Sequence, residues 1–536
     1  METELAAIPD DALADALRRL PARSLAAARC VCKCWRGVVD GRGLLLPHLL
    51  PHSVRGIFIN YIDHHRPHLF ARPSSSAAAA SPEIDAMLGF LPSNDRDCAT
   101  FTNWWSVMDH CDGLLICDIK WESRLCVCNP ATRRWTLLPL RAEGLLGYAG
   151  AHLMFDPAVS PHYEVVLIPA VPKEPLRPYD WKVKRKKRQC SLPPQHEIDG
   201  PFCIHSLFSS PDDTLLPDDE TQQDGEEFQP AMEWRGDEED EDEEEKEPDD
   251  PYRLMEWPPS PWQLNVFSSR TGQWEARHFI REGEPVGTVE DMRLDERLGR
   301  MCRRCTVYHN GALYVHCQGP FIMRLSLSSD KYQVINTPTN IERAKPYLGR
   351  SEKEVHFGTV HEGQLQVWIL KESHKKIEWI LKYQNDLRCY AQYVASLYNH
   401  GRLMVGPWII KEHNSSVHTS NHTAETLSKE GFEWDSDNDD IISANVGGEA
   451  NYWESFDIIG FHPYKKVVFL AEPFDIVAYH MNTTKAQYLG NSRPNCYYHN
   501  YTNGIYESFV YTPCTIGELE EGNIDLSAYK EGNQAM

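Results

Sequence analysis

A group of cysteines and histidines in the second half of the chain has the residue types of a metal site. Cys302 and Cys305 form a Cys-x-x-Cys pair, and His309, His316 and Cys317 follow within a few residues. A zinc ribbon would need a second such pair, which the chain lacks. The residues between them predict strands, whose alternate side chains point to opposite faces. We therefore interpret this group as structural and predict no metal site.

The chain also lacks the common sequence patterns of catalysis and cofactor binding. It has no Gly-x-Gly-x-x-Gly opening a helix, no P-loop, no His-Glu-x-x-His and no Gly-x-Ser-x-Gly. We predict no catalytic residue and no cofactor. The many histidines and carboxylates form chance pairs, and without a spacing rule these pairs indicate no chemistry.

One segment carries most of the charge. The net charge of the 536 residues is −24. Between Asp212 and Asp250 lie 21 acidic residues against Arg235 and Lys246, which leaves a net charge of about −5 for the rest of the chain. No basic nucleic-acid footprint covers a whole domain. No apolar run reaches the ~18 residues of a membrane helix, so we expect neither nucleic acid nor membrane as a partner.

A basic cluster precedes the acidic segment. It consists of Lys184, Arg185, Lys186, Lys187 and Arg188. The cluster has the composition of a nuclear-import signal, and the alternative is a solvated linker that pairs loosely with the acids. Because self-repelling tracts without apolar residues do not bury a core, we predict a disordered insert over residues 172–259.

The first 42 residues predict a small module of three helices. Pro9 and Asp10 are typical of a helix start, and Leu13, Leu17 and Leu20 recur on one face. Two further short helices follow Pro21. Domains of this size bury little apolar surface by themselves, and with the 16 cysteines expected as thiols, a partner is the physical suggestion.

From about residue 50 onward, short β-branched and aromatic runs alternate with turn residues, which predicts a mainly β fold. One repeated pattern is a turn residue and a glycine before an apolar strand. It occurs at Asp112-Gly113, Asn310-Gly311, Glu362-Gly363 and His400-Gly401, and weaker copies lie at 161–166 and 464–469.

A second pattern is a strand, a polar turn and an aromatic residue. It ends at Trp135 and Trp274, with looser copies at Tyr332, Trp379 and Tyr488. The spacing is close to the ~40–50 residues of a four-stranded propeller blade. We predict a β-propeller of about six blades, the weakest near His400. Pairing of an early strand at 56–59 with a late one at 508–511 would close it.

The N-terminal module resembles an F-box. Its residues 8–13, 17–25 and 29–36 contain nearly all of the Leu-Pro, Arg-Leu-Pro, Ser-Leu and Val-Cys-Lys-x-Trp-Arg elements of that family, with Ile8 in place of the usual leucine. Residues 112–115 and 128–135 are similar to the F-box-associated, kelch-like β-propeller of plant F-box proteins. The resemblance does not cover the acidic insert.

The resemblance implies the substrate receptor of an SCF-type ubiquitin ligase. In that family the F-box docks on the adaptor Skp1 and, through it, on a cullin, while the propeller holds a protein substrate. The positions that match the Skp1-facing residues of the family are Ile8, Pro9, Leu13, Leu17, Leu20, Pro21, Leu25, Val31, Cys32 and Trp35. The alternative for Leu17, Leu25 and Trp35 is that they only pack the three helices together.

The predicted organisation has five parts. They are the F-box at 1–42, the first part of the propeller at 50–171, the insert at 172–259, the rest of the propeller at 260–520 and a tail at 521–536. Two other functions stay open, namely a non-ligase interaction scaffold and a propeller enzyme, because propeller folds serve many functions. We expect the protein in the cytoplasm, the nucleus or both.

Overall fold

The computed structural model describes 300 of the 536 residues. They are residues 9–20, 22–45, 53–62, 64, 66–73, 84–91, 105–119, 124–140, 148–172, 250–294, 305–316, 319–339, 345–373, 376–390, 406–411, 456–494, 497, 504–514 and 519. The chain divides into two compact units, 1–171 with 254–536, and 172–253. All helices and strands described here belong to the first unit.

The three predicted N-terminal helices are present. They are α1 (Asp10–Leu17), α2 (Ala22–Arg29) and α3 (Lys33–Gly41). Asp10 and Asp11 occupy the first turn of α1, where the helix dipole favours acids. The Cys32 sulfur caps α3 by accepting the backbone N–H of Trp35 at 3.4 Å. Since all three helices are short, tertiary packing has to supply most of their stability.

The rest of the described chain is mainly β, and most of it forms four-stranded antiparallel sheets. Three sheets follow the chain order directly. The first is β3 (Trp105–Cys111), β4 (Leu114–Ile119), β5 (Arg124–Asn129) and β6 (Arg134–Leu137). The second is β17 (Tyr347–Ser351), β18 (Glu354–His361), β19 (Gln364–Ser373) and β20 (Lys376–Asp386). The third is β22 (Asp457–Phe461), β23 (Val467–Glu472), β24 (Asp475–His480) and β25 (Lys485–Asn491).

Two further four-stranded groups join into one eight-stranded sheet. One comprises β7 (Tyr148–Met154), β8 (Glu164–Pro169), β10 (Trp262–Ser268) and β11 (Gln273–Glu282), and the other β13 (Thr306–His309), β14 (Ala312–His316), β15 (Phe321–Ser326) and β16 (Lys331–Asn336). The ends of β11 and β16 pair in parallel, with Arg281 opposite Tyr332. A two-stranded ribbon joins β9 (Glu256–Trp257), which precedes β10, to β12 (Gly287–Thr288), which follows β11. Helix α4 (Val289–Arg293) comes directly after β12.

The last sheet combines the two ends of the β region. Its order is β21 (Ile409–Lys411), β2 (His68–Ala71), β1 (Gly56–Tyr61) and β26 (Ile505–Tyr511). Ile57 pairs with Val510, and Phe58 pairs with Phe509. The predicted pairing of an early with a late strand is thus confirmed, in the predicted segments.

One strand at the edge of each four-stranded group contacts its counterparts in the neighbouring groups. The contacts run from β3 to β7, from β7 to β13, from β13 to β17, from β17 to β22, from β22 to β26, and from β26 back to β3. They therefore form a closed circuit. Apolar side chains from adjacent groups fill the spaces between them, as in the cluster that holds Phe357, Phe461 and Tyr479.

The second sequence pattern keeps its register in the structure. Trp135, Trp274, Tyr332, Trp379 and Tyr488 each lie on the fourth strand of a group, opposite a residue of the third. This common position follows from the polar hairpin turn that precedes each aromatic residue. The predicted repeat of strand, turn and aromatic is therefore confirmed for all five copies.

The first pattern, a turn residue and a glycine before a strand, occurs at two different positions in the sheets. Asp112-Gly113 and Asn310-Gly311 are two-residue turns between first and second strands, with positive φ at both residues. Glu362-Gly363 forms the same kind of turn, but between the second and third strands of its sheet. The pattern therefore does not mark one common position in the sheets, because any tight hairpin selects such residues wherever it lies.

The predicted end of the insert lies too far along the chain. Residues 250–259 belong to the predicted disordered insert, yet they include β9, whose Trp257 is buried against Trp262. Near the predicted weak blade, residues 391–405 lie outside the described residues, and β21 joins the sheet of β1 and β26 as its edge strand. The insert at 173–249 and the tail at 521–536 also lie outside the described residues.

Candidate functional site

The N-terminal helices enclose a small apolar cluster of their own. Its buried members are Leu13, Ala14, Leu17, Leu25, Ala28, Val38, Val39 and Leu44. Leu17 and Leu25 are 2% and 0% exposed. Leu20 and Trp35 are half-buried and pack against this cluster. These leucines therefore hold the three helices together in the isolated chain.

The other predicted partner-facing residues divide between exposed positions and undescribed ones. Pro9, Val31 and Cys32 are exposed, and Ile8 and Pro21 lie outside the described residues. Val31 is 65% exposed although it is a large apolar residue. It lies in the turn between α2 and α3, where its N–H donates to the carbonyl of Ala28. An exposed valine four residues before the half-buried Trp35 offers apolar surface to another protein.

Two ion pairs connect the helices around this surface. The Arg29 guanidinium on α2 donates hydrogen bonds to both carboxylate oxygens of Asp40 on α3, at 2.6 and 3.0 Å. Its hydrogen bond lowers the pKa of the Asp40 carboxyl. Arg42, just after α3, reaches Asp11 on α1 at 2.5 Å. Because the pairs are exposed, they orient the helices more than they stabilise them.

A second candidate site is a cavity of about 70 Å³ among the strands of the closed circuit. Asp109 and His110 of β3, Arg350 of β17 and Ser508 of β26 contribute polar groups to its lining. The Asp109 carboxylate is buried and accepts the backbone N–H groups of His110 at 2.8 Å and Leu153 at 2.9 Å. It therefore links β3 to β7.

The cavity shifts the pKa of its acid and its imidazole in opposite directions. Burial raises the pKa of Asp109 to about 7, against hydrogen bonds that lower it. Burial lowers the pKa of His110 to about 4. At its rim, the Asp112 carboxylate is engaged by the Arg350 guanidinium. Since backbone N–H groups and a guanidinium occupy the two carboxylates, the geometry favours a structural role for both.

Of these polar residues, the sequence patterns included only Asp112, as a turn residue. A signal was present, since Asp109 interrupts an otherwise apolar inward pattern in β3. Spacing alone does not reveal its partners, because Leu153 is 44 residues away and Arg350 is 238 residues from Asp112.

The cysteine and histidine group is only partly within the described residues. Cys305 and His316 are buried and His309 is half-buried, whereas Cys302 and Cys317 lie outside the described residues. Within the described ranges, no three histidine, cysteine or acidic side chains are grouped so as to hold a metal ion. The basic cluster at 184–188 is not described either. No helix of the described part is long and apolar enough to cross a membrane.

Comparison with known proteins adds a family to the first of these sites. Residues 5–46 match the model of the F-box domain. A stretch of 131 residues is 27% identical to F-box protein At3g08750 of Arabidopsis thaliana and covers 24% of this chain and 31% of that protein. Putative F-box protein At3g52320 of the same plant is 27% identical over 133 residues, 25% of this chain and 33% of its own.

The chain thus carries an F-box domain at its N-terminus and is similar to plant proteins named for that domain. The match spans about a third of the length of each relative. The helices α1 to α3 lie within the matched residues, so the apolar cluster and the exposed turn around Val31 are features of the F-box domain.

Proposed function

We propose that this chain is the substrate-recognition subunit of an SCF-type ubiquitin ligase. F-box domains generally bind Skp1-like adaptors, and the match over residues 5–46 is the observation that carries the proposal. The F-box would attach the chain to the adaptor and, through it, to a cullin. The protein would work in the cytoplasm, the nucleus or both.

The β region would be a six-bladed propeller that holds the target protein. Six four-stranded groups and the closed circuit of contacts between their edge strands support this architecture. Such a ring is a rigid scaffold that positions the loops between its strands, and recognition residues can lie on those loops. The chain itself would catalyse nothing, since other subunits transfer ubiquitin. Its contribution would be proximity, which raises the effective concentration of target lysines near the charged conjugating enzyme.

Co-purification of the full chain with a Skp1-like adaptor and a cullin tests this proposal. We expect binding by the full chain and none by a chain that lacks residues 1–42. Leu20→Ser combined with Pro21→Ala should also abolish binding. Failure of the intact chain to bind the adaptor would overturn the proposal.

A surface variant separates contact from folding. Val31→Lys replaces an exposed side chain, so the helices should still fold while adaptor binding falls at least about tenfold. Val159→Lys is the matched control, because this valine is 80% exposed and lies outside the F-box domain. Equal adaptor affinity of both variants would remove Val31 from the interface.

A further inference from the structure

The hairpin turn between β13 and β14 consists of Asn310 and Gly311. Both residues are exposed, with φ of 50° and 75°. A Cβ placed on Gly311 would have no atom within 4 Å beyond its chain neighbours. Among the described residues, neither the Asn310 side chain nor the Gly311 N–H takes part in a hydrogen bond. Nothing in the described part of the chain therefore restrains the amide of Asn310 or the backbone nitrogen that follows it.

An asparagine followed by glycine can react with its own backbone. After loss of its proton, the Gly311 nitrogen attacks the side-chain carbonyl carbon of Asn310. The new C–N bond closes a five-membered succinimide, and the side-chain nitrogen takes up a proton and leaves as ammonia. Water then opens the ring at either carbonyl, so the product is aspartate or isoaspartate. Glycine favours the attack because it has no Cβ to shield the nitrogen.

The turn of the same kind between β3 and β4 is held in place. The Arg350 guanidinium engages the Asp112 carboxylate, and a Cβ on Gly113 would collide with the Cβ of Cys514. Ring closure requires the backbone to rotate between the side chain and the next nitrogen, which is a local opening of the turn. Packing resists that rotation at Gly113, whereas Gly311 faces open space.

A second Asn-Gly pair, Asn503-Gly504, provides a comparison within the chain. Asn503 lies outside the described residues, but Gly504 is buried. The carbonyl of Gly504 accepts the N–H of Ile62 at 2.8 Å. A Cβ on this glycine would lie 2.7 Å from Cζ of Phe474. The folded chain therefore holds the glycine of one reactive pair in its core and leaves the other exposed.

We propose that Asn310 is a site of spontaneous deamidation in the folded protein. Either product adds a negative charge to the turn, and isoaspartate also extends the backbone by the side-chain methylene. Because turn type and loop length fix the register of a hairpin, the longer backbone should distort the pairing of β13 with β14. β13 contacts β7 and β17, so the distortion would reach both neighbouring groups. The inference is independent of adaptor binding.

Ageing of the full chain tests the site. The folded protein is kept in mildly alkaline buffer, and peptide mapping follows the conversion of each asparagine to an acid. We expect Asn310 to react at least about fivefold faster than Asn503, because its turn opens more readily. In concentrated urea the two rates should become similar. Equal rates in the folded chain, or an unchanged Asn310 when the urea sample has reacted fully, would overturn the proposal.

Methyl transfer detects the isoaspartate product. An isoaspartyl methyltransferase with labelled S-adenosylmethionine marks that carboxylate in the aged full chain. Asn310→Gln should remove most of the label, because glutamine would have to close a six-membered ring. The matched control is Asn482→Gln, since Asn482 is also exposed in a hairpin turn but precedes Thr483, and it should keep the label. Label that survives in the Asn310 variant would contradict the assignment.

Discussion

At the scale of single residues, Asp109 is a buried side chain whose ionisation the fold resists. It is 3% exposed, and both carboxylate oxygens accept backbone N–H groups from different strands. Burial nevertheless raises its pKa to about 7, and the negative charge of Glu507 adds to that shift. An unfolded chain has an ordinary aspartate pKa near 3.9. Between about pH 4 and pH 7, the folded chain therefore holds a proton on Asp109 that the unfolded chain has lost.

This difference predicts a pH-dependent stability. Between about pH 4 and pH 7, the free energy of unfolding should fall as the pH rises, by at most about 1.4 kcal/mol per pH unit from this group. Asp109→Asn removes the titration. Urea unfolding at about pH 5 and pH 7.5 gives the free energy of unfolding of the variant minus that of wild type. This difference should be more favourable to the variant by about 1–3 kcal/mol at pH 7.5 than at pH 5.

The comparison between the two proteins isolates Asp109 from other groups. Burial lowers the pKa values of His110 and His356 to about 4. Their contribution to the free energy of unfolding therefore falls as the pH falls, which is opposite to the effect of Asp109. Both histidines are present in wild type and variant, and their contributions cancel in the difference. Parallel pH profiles of the two proteins would show that Asp109 is ionised in the folded chain throughout this range.

At the scale of elements, two hairpin turns of the same kind differ in what surrounds them. Gly113 has φ of 95° and Gly311 has φ of 75°. A Cβ at Gly113 would lie 2.4 Å from the Cβ of Cys514, whereas one at Gly311 would have nothing within 4 Å. The first turn thus touches the chain segment that follows β26, and the second faces open space.

Alanine substitution should separate strain from crowding. Gly311→Ala should cost about 1 kcal/mol, because only the positive φ opposes the new methyl group. Gly113→Ala should cost roughly 1–3 kcal/mol more, since Cys514 and the backbone around it must move. Chemical unfolding of the two variants measures the difference. Equal losses would mean that the segment after β26 yields freely.

Local sequence patterns predicted these turns and strands well, but they predicted poorly which distant residues contact them. The Asp-Gly and Asn-Gly turns and the five fourth-strand aromatics follow from turn chemistry and strand periodicity. The contact of Gly113 with Cys514 and the parallel pairing of β11 with β16 join residues that no local spacing relates. In the F-box domain, helical spacing identified the apolar face, but it did not distinguish the buried Leu17 from the exposed Val31.

At the scale of the whole molecule, the first and last strands of the β region depend on each other. Besides pairing with β1, β26 contacts β22 and β3 in the closed circuit. Without β26, the circuit would be open and several buried apolar side chains, Ile57 and Phe58 among them, would lose their cover. The stability of all sheets is therefore linked through this strand.

Truncation tests that link. A chain that ends at residue 503 lacks β26, and we expect it to unfold in broad steps that differ between circular dichroism and tryptophan fluorescence. A chain that ends at residue 519 keeps every described residue and should unfold as the full chain does. A single sharp transition of the shorter chain at the full-chain midpoint would refute the idea that β26 couples the sheets.

The same pairing sets an order of events during synthesis. The side-chain amide of Asn60 on β1 donates to the carboxylate of Glu507 on β26, 447 residues later. At roughly 5–20 residues per second, the ribosome takes on the order of half a minute or longer to deliver that partner. Among the described residues, the cluster of the F-box helices ends at Leu45, so these helices can fold at the start of this interval. Under the proposed function, an adaptor would then meet a finished F-box on a nascent chain whose β region is still incomplete.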